Sequence, residues 1–367
     1  MKTLRHVGAR IERIKASPQY RDGRFHNPSG LTARMKGDTL PLMGEFFFGE
    51  AQRRPPGPLP VSDPRERWSR APETDFRVTW LGHSTVLFEM DGVRVLTDPV
   101  FGERVSPVSF LGPRRFHPVP VPVAALPALD VVLVSHDHFD HLCRESVTAL
   151  ARRTETRFVT SLGVGEHLER YGVDPARLHE LDWNESITLG AVRFTAVPAQ
   201  HFSGRGVNDR NRTLWSSWVI ETDRRKVFFS GDTGLFPEME SIGKRHGPFD
   251  LTLLEVGAFH PSWGDIHLGP DNALRAHALL GGRTLLPVHW GTFDLALHAW
   301  DDPAETLFRR AAAESTSLLL PRLGAPIEPA RAEEPAPWWR NVSSSRALDV
   351  SLSRNAGLDE PAPDKTR

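Results

Sequence analysis

The chain has 367 residues, with 45 Lys and Arg against 46 Asp and Glu, a net charge of −1 and a pI near 7.0. That balance excludes nucleic-acid binding driven by an overall positive field, and the length admits one large or two modest domains. A single cysteine, Cys143, excludes an intramolecular disulfide framework.

No run of about 18 apolar residues occurs, so no membrane-spanning helix is expected. Met1–Tyr20 carries five Lys or Arg and no apolar run, so it does not read as a signal peptide. The expected compartment is the cytoplasm, with peripheral membrane contact at most.

Charge, Pro and Gly dominate residues 1–74, which read as an extended leader packing on the core. Its apolar knot, Phe46, Phe47 and Phe48, is expected to pack against the body of the fold or to cover an acyl channel. Strands start at Phe76, and Arg77–Leu81 leads into Ser84–Met90. Asp91 and Gly92 form a two-residue hairpin turn, and Val93–Thr97 returns. Asp130–Ser135 is an apolar run of the kind buried on both faces. Arg144–Arg152 reads as a helix and Arg157–Thr160 as a strand.

Further strands are expected at Ser186–Leu189, Val192–Val197, Ser216–Glu221, Lys226–Ser230, Leu251–Glu255 and Thr284–Val288. A helix fits Pro270–Leu280, with Pro270 in the first turn, Asp271 at the positive end and Gly281 as the C-terminal cap. Short strands interleaved with helices predict an α/β fold, an αββα sandwich, over residues 75–330. Residues 331–367 read as a flexible tail in which Trp338 and Trp339 are the docking candidates.

The chemistry gathers at Ser135–His141, just past the buried strand. His136, His138, Asp140 and His141 place four potential ligands in six residues, a density that packing does not explain. Imidazole and carboxylate are the ligand types of zinc, iron and manganese. Further candidates follow apolar strands in the same way: His201 after Val197, Asp232 after Phe229 and His289 after Val288.

These residues, in this order, resemble the metallo-β-lactamase superfamily. Trp80–Thr85, Leu96–Pro99, Leu111–Phe116, Pro198–His201, Ile242–Arg245 and His289–Phe293 narrow the resemblance. They are similar to the branch holding N-acyl-phosphatidylethanolamine phospholipase D and, more distantly, ascorbate-6-phosphate lactonase. The similarity runs from about Phe76 to Pro303.

The resemblance implies two zinc ions, with iron or manganese as alternatives. His136, His138 and His201 would hold one ion; Asp140, His141 and His289 would hold the other, with Asp232 bridging. It further implies a hydrolase working through a metal-bound hydroxide. The leading activity is a phospholipase D-type cleavage of N-acyl-phosphatidylethanolamine or a related phospholipid, and the second is hydrolysis of a lactone or small ester. A metal-binding protein without turnover is the alternative of another class. Nucleic acid is not an expected partner; a homodimer is compatible.

Asp140, Asp232, His267 and Asp98 make up the expected catalytic group, with Asp98 orienting a ligand imidazole and His267 meeting the phosphate or leaving group. His83 reads as a hydrogen-bonding residue near the site. Arg114 and Arg115 form either an anion clamp or an exposed loop pair, and His298 either reaches the cleft or does not. Relatives in the lipase branch usually carry Tyr after Gly257 and Ala258, where this chain has Phe259 and His260. The stretch Val121–Leu126 is either acyl-channel wall or core.

Overall fold

The computed structural model describes residues 4, 6–28, 44, 49–108, 110–263 and 265–342. Phe46, Phe47 and Phe48, Gly264 and the tail from residue 343 onward lie outside the described residues.

After a short hairpin of β1 (Tyr20–Arg21) and β2 (Arg24–Phe25), the first sheet takes β3 (Phe76–Gly82), β4 (Thr85–Met90), β5 (Val93–Thr97), β6 (Val131–Val134), β7 (Arg157–Ser161) and β8 (Leu178–Leu181). The second is built from β9 (Ser186–Leu189), β10 (Val192–Val197), β11 (Ser217–Glu221), β12 (Lys226–Phe229), β13 (Leu251–Glu255), β14 (Thr284–Val288) and β15 (Ser317–Leu318). The last strand, β16 (Pro326–Ile327), returns to pair antiparallel with β3. The sheets run β16-β3-β4-β5-β6-β7-β8 and β15-β14-β13-β12-β11-β10-β9.

Side-chain alternation explains how these strands assemble. On β4, Val86, Phe88 and Met90 enter the main core while Leu87 joins a second cluster. On β6, Val131 and Leu133 face the main core, and Val132 and Val134 face the second. The main core also takes Phe194, Trp218, Ile220 and Phe228 from the other sheet, so it fills the space between the two layers. The second cluster lies outside the first sheet, under the helix Arg144–Ala151 with its buried Val147 and Leu150. The helix Gly269–Leu280 packs on β13, with Ala273 and Leu274 in the core. Sheet faces sheet with helices outside, as the sequence predicts.

Several segments differ from expectation. The leader is not extended throughout: Ala9–Ala16 is a helix that buries Ile14, and its Arg10 pairs with Glu169 and Glu180 at 2.6 Å. Apolar periodicity over so short a polar helix is faint, and its partners lie more than 150 positions away. The helices Glu238–His246 and Asp302–Ala313 were not expected either. Val121 and Leu126 belong to the second core cluster with Leu129 and Leu150, so this stretch is core and no channel wall. Trp338 and Trp339 are buried against Trp290, and Trp339 Nε1 donates to Glu305.

Candidate metal centre

Parallel strands β5, β6, β12, β13 and β14 deliver their C-terminal ends to one edge of the sandwich, where side chains of successive loops converge. Asp98 follows β5, His136–His141 follow β6, Asp232 follows β12 and His289 follows β14; His201 follows the antiparallel β10. The loop after β12 needs Gly231: its φ is +53°, and a Cβ there would meet Ser135 Cβ at 2.7 Å. Non-glycine residues held at positive φ cluster here too, namely His83 (50°), Asp98 (30°), Ala258 (53°) and His289 (65°).

Two groups of ligand atoms result. His136, His138, His201 and Asp232 bring one atom each within 4.8 Å of one another, and so do His83, Asp140, His141 and His289. In the first, His138 Nδ1 lies 2.9 Å from His136 Nε2 and 3.3 Å from His201 Nε2. In the second, Asp140 Oδ2 lies 3.3 Å from His289 Nε2 and 3.6 Å from His141 Nε2. Asp232 stands between them. Its Oδ1 is 3.1 Å from His141 Nε2, and its Oδ2 is 3.3 Å from His289, 3.6 Å from His201 and 3.8 Å from His136.

The far side of three of the rings is engaged. His141 Nδ1 donates to Asp98 Oδ2 at 2.7 Å. Ser135 donates its backbone N–H to Asp98 Oδ1 (2.7 Å) and its hydroxyl to Oδ2 (2.6 Å). With that proton committed, the Ser135 oxygen accepts from His136 Nδ1 at 2.9 Å. His201 Nδ1 donates to the Ile266 carbonyl at 3.0 Å. Asp98 therefore orients His141 directly and His136 through Ser135.

This arrangement tests whether cations fit. With their Nδ1 protons bound elsewhere, His136 and His201 both aim bare Nε2 lone pairs at His138 Nδ1, which has at most one proton to share between them, whereas a cation among the three takes up all the lone pairs. His141 Nε2, His289 Nε2 and Asp232 Oδ1 are buried without a hydrogen-bond partner, a costly state that metal coordination relieves. Protonation states agree except at His141 and His289, which Asp232 and Asp140 raise above the ordinary histidine value against their burial, a positive charge that bound cations would replace. Burial, reinforced by neighbouring imidazoles, holds His136 and His201 well below the ordinary histidine value. Burial opposes ionisation of Asp140 and Asp232, yet His141 and its neighbours bring both well below the carboxylate range. Neutral imidazole and ionised carboxylate are the ligand forms of zinc and iron, so the residues present fit two ions.

The other expected residues separate clearly. His83 Nε2 lies 3.1 Å from Asp140 Oδ2, and its ring stands 3.9 Å from that of His289. Its carbonyl accepts the His289 N–H, so the Gly82–His83 turn positions a ligand. Burial, with His289 adding, pushes His83 down to about 3. His267 stands 5.2 Å from His201 and 5.4 Å from His289, ring to ring. Arg114 and Arg115 do not form a clamp. Arg114 is exposed and pairs with Glu103 at 2.5 Å, while Arg115 is buried and donates to the Val100 and Gly102 carbonyls. His298 bonds the Ala299 carbonyl and stacks on Phe259 at 4.7 Å.

Above the centre lies a cavity of about 340 Å³ whose wall includes Phe202, Ala258, Trp263, Ile266, Leu295 and His267. Arg210 stands at its exposed rim, the guanidinium 4.3 Å over the Phe202 ring. Sequence reasoning missed Arg210, and also Glu255, a buried carboxylate ending β13. Glu255 was visible by the same signal that marks Asp98 and Asp232: an acid closing an apolar strand.

Residues 93–290 match the family described as the beta-lactamase superfamily domain. The chain belongs to that superfamily, with the metallo-β-lactamase fold. A protein of Mycobacterium tuberculosis is 43% identical to it over 343 residues, 91% of each chain. The N-acyl-phosphatidylethanolamine-hydrolyzing phospholipase D 1 of Caenorhabditis elegans is 37% identical over 234 residues, 61% of this chain and 66% of that protein. Among solved structures, a metallo hydrolase from Ignicoccus hospitalis aligns with a TM-score of 0.52 at 24% identity, over 69% of this chain and 97% of the other. The superfamily's metal-dependent hydrolases thus share the architecture that gathers this centre.

Proposed function

We propose that the protein is a dinuclear metal-dependent phosphodiesterase that cleaves N-acyl-phosphatidylethanolamine or a related phospholipid to phosphatidic acid and an N-acylethanolamine. The observation that carries this reading is the union of two ligand groups through Asp232 beneath a cavity with an apolar wall and a cationic rim. A polar lactone or sugar acid would leave Phe202, Trp263, Ile266 and Leu295 without complementary surface, whereas an acyl chain covers them. The likeness to the Caenorhabditis elegans phospholipase supports the same choice.

His136, His138 and His201 would hold one ion, Asp140, His141 and His289 the other, and Asp232 both. When bound, such ions supply Lewis acidity, drawing charge from phosphoryl oxygens and bringing the pKa of water toward about 7. The chain's own residues do the rest. Asp98 and the Ile266 carbonyl keep the ligand rings in one tautomer. Arg210 meets a substrate anion at the rim, and the apolar wall excludes water from the reacting phosphate. His267 faces the leaving oxygen and donates a proton to it.

The test is a product analysis of purified protein, reconstituted with zinc or iron, against N-acyl-phosphatidylethanolamine vesicles, lactones and bis-p-nitrophenyl phosphate. Phosphatidic acid with N-acylethanolamine is the expected product pair. Rapid lactone turnover without phosphodiester cleavage would overturn the reading.

A further inference from the structure

Where β13 enters the site, an apolar strand ends in a carboxylate. Glu255 is fully buried, and Leu253, Leu254 and Val256 around it are core residues. Its Oε1 accepts the Leu268 backbone N–H at 2.6 Å and lies 3.3 Å from His267 Nδ1. Oε2 and His267 Nδ1 are both buried without a hydrogen-bond partner, so Nδ1 faces Oε1 at ion-pair distance and not in a formed hydrogen bond. A buried carboxyl with idle acceptors costs free energy, and a strand filled by leucine or valine would avoid that cost.

What the position gains is control of a ring. His267 offers a ligand atom within 4.8 Å of those of Asp232 and His289, and it lines the site cavity. With Nδ1 turned to Glu255, Nε2 is the nitrogen left for the cavity.

We propose that Glu255 is a positioning residue for His267: Oε1 keeps the proton on Nδ1 and the ring fixed, so that Nε2 faces the leaving group. Its bond to Leu268 N–H anchors the loop that carries His267. The role in turnover rests on the phosphodiesterase reading; the pairing of the two side chains does not. In that reaction a water oxygen bonds to phosphorus, the ester P–O bond breaks, and its electron pair stays on the leaving oxygen. That oxygen takes the Nε2 proton of the doubly protonated His267 ring, leaving the neutral ring with its remaining proton on Nδ1, turned to Glu255 Oε1. The proton lost by the attacking water passes to solvent, from which His267 is reprotonated.

The test uses zinc-loaded full-length protein and four variants: Glu255→Ala, Glu255→Gln, His267→Ala and the Glu255→Ala/His267→Ala double variant. Side-chain ¹⁵N spectra, with the His267 signals assigned by their loss in His267→Ala, should show neutral His267 protonated on Nδ1. Glu255→Ala should mix the tautomers, and Glu255→Gln, which keeps an acceptor oxygen, should restore them. On a dialkyl phosphodiester, His267→Ala should lose about 10²–10³ in kcat, the scale of one deleted donor. Glu255→Ala should lose about 10² in kcat with KM nearly unchanged, and the double variant should be no slower than His267→Ala.

A neutral wild-type His267 ring with its one proton on Nε2 overturns the proposal, as do additive losses in the double variant. Should Glu255→Ala fail to fold, the wild-type and Glu255→Gln spectra still decide. Spectra as expected with no phosphodiester turnover would remove the functional reading and leave the pairing standing.

Discussion

Asp98 shows how one side chain serves a whole centre. Its two oxygens accept from Ser135 N, Ser135 Oγ and His141 Nδ1, all within 2.7 Å, and it holds φ at 30° to do so. Burial pushes its pKa up, opposed by His141 and Ser135, so the donors around it are what keep it useful as an anion. Asp98→Asn offers one acceptor oxygen and adds an N–H₂ donor, so it cannot take all three bonds. The His141 side of the centre should bind metal about 10–100-fold more weakly, the usual effect of deleting a ligand's orienting partner. Competition with a chromophoric chelator measures this; unchanged affinity would remove Asp98 from the account. Neither Ser135 as a relay nor Glu255 beside His267 was legible from spacing alone, because each acts through a neighbour brought there by another strand.

Between elements, the seam of the helix Gly269–Leu280 against β13 carries a pH-sensitive contact. His277 is buried there, and its Nδ1 lies 2.7 Å from Thr252 Oγ1. Burial pushes His277 down to about 4, against about 6.5 when unfolded. Above pH 6.5 both states are neutral and the shift has no effect. As pH falls from 6.5 to 4 the unfolded chain gains a proton that the folded chain refuses. Stability is therefore lost through that window and levels off below it. The loss is at most about 3 kcal/mol, less for partial solvent access. Urea unfolding at pH 7 and pH 5 should show a smaller difference in His277→Gln than in wild type, and equal differences would clear His277. Pro270 and Gly281 made this helix readable in advance, and Gly281 does adopt φ 67°. Glu238–His246 escaped notice since a polar nine-residue helix gains its definition from Met239 and Ile242 packing into a distant core.

For the molecule as a whole, the centre ties both sheets together, with Asp98 and His136 from one and His201, Asp232 and His289 from the other. Ions bound there stabilise the folded chain by mass action, about 4 kcal/mol at a thousandfold excess over Kd. Purified protein should hold close to two ions per chain, and chelation should lower Tm by on the order of 10 °C. Asp232→Ala should lower occupancy of both positions, by its contacts to both groups. A wild-type protein that stays folded yet empty after reconstitution would sink the dinuclear reading. Among the described residues no helix is long and apolar enough to cross a membrane.

By itself the sequence determined most of the longer strands and the residues that gather at the candidate centre. Alternation and unbroken apolar runs are local properties, and a chain that turns four ligands out of one buried strand end within six residues has few uses for them. Tertiary structure decided the pairings. Glu255 with His267, Arg10 with Glu169 and Trp339 with Glu305 join residues 12, 159 and 34 positions apart. Which acid faces which ring depends on how two twisted sheets close on each other, and no local pattern encodes that register. The same closure removed Arg114 and Arg115 from the site, and it placed Val121–Leu126 beneath a helix. Their composition suited either fate, and packing chose.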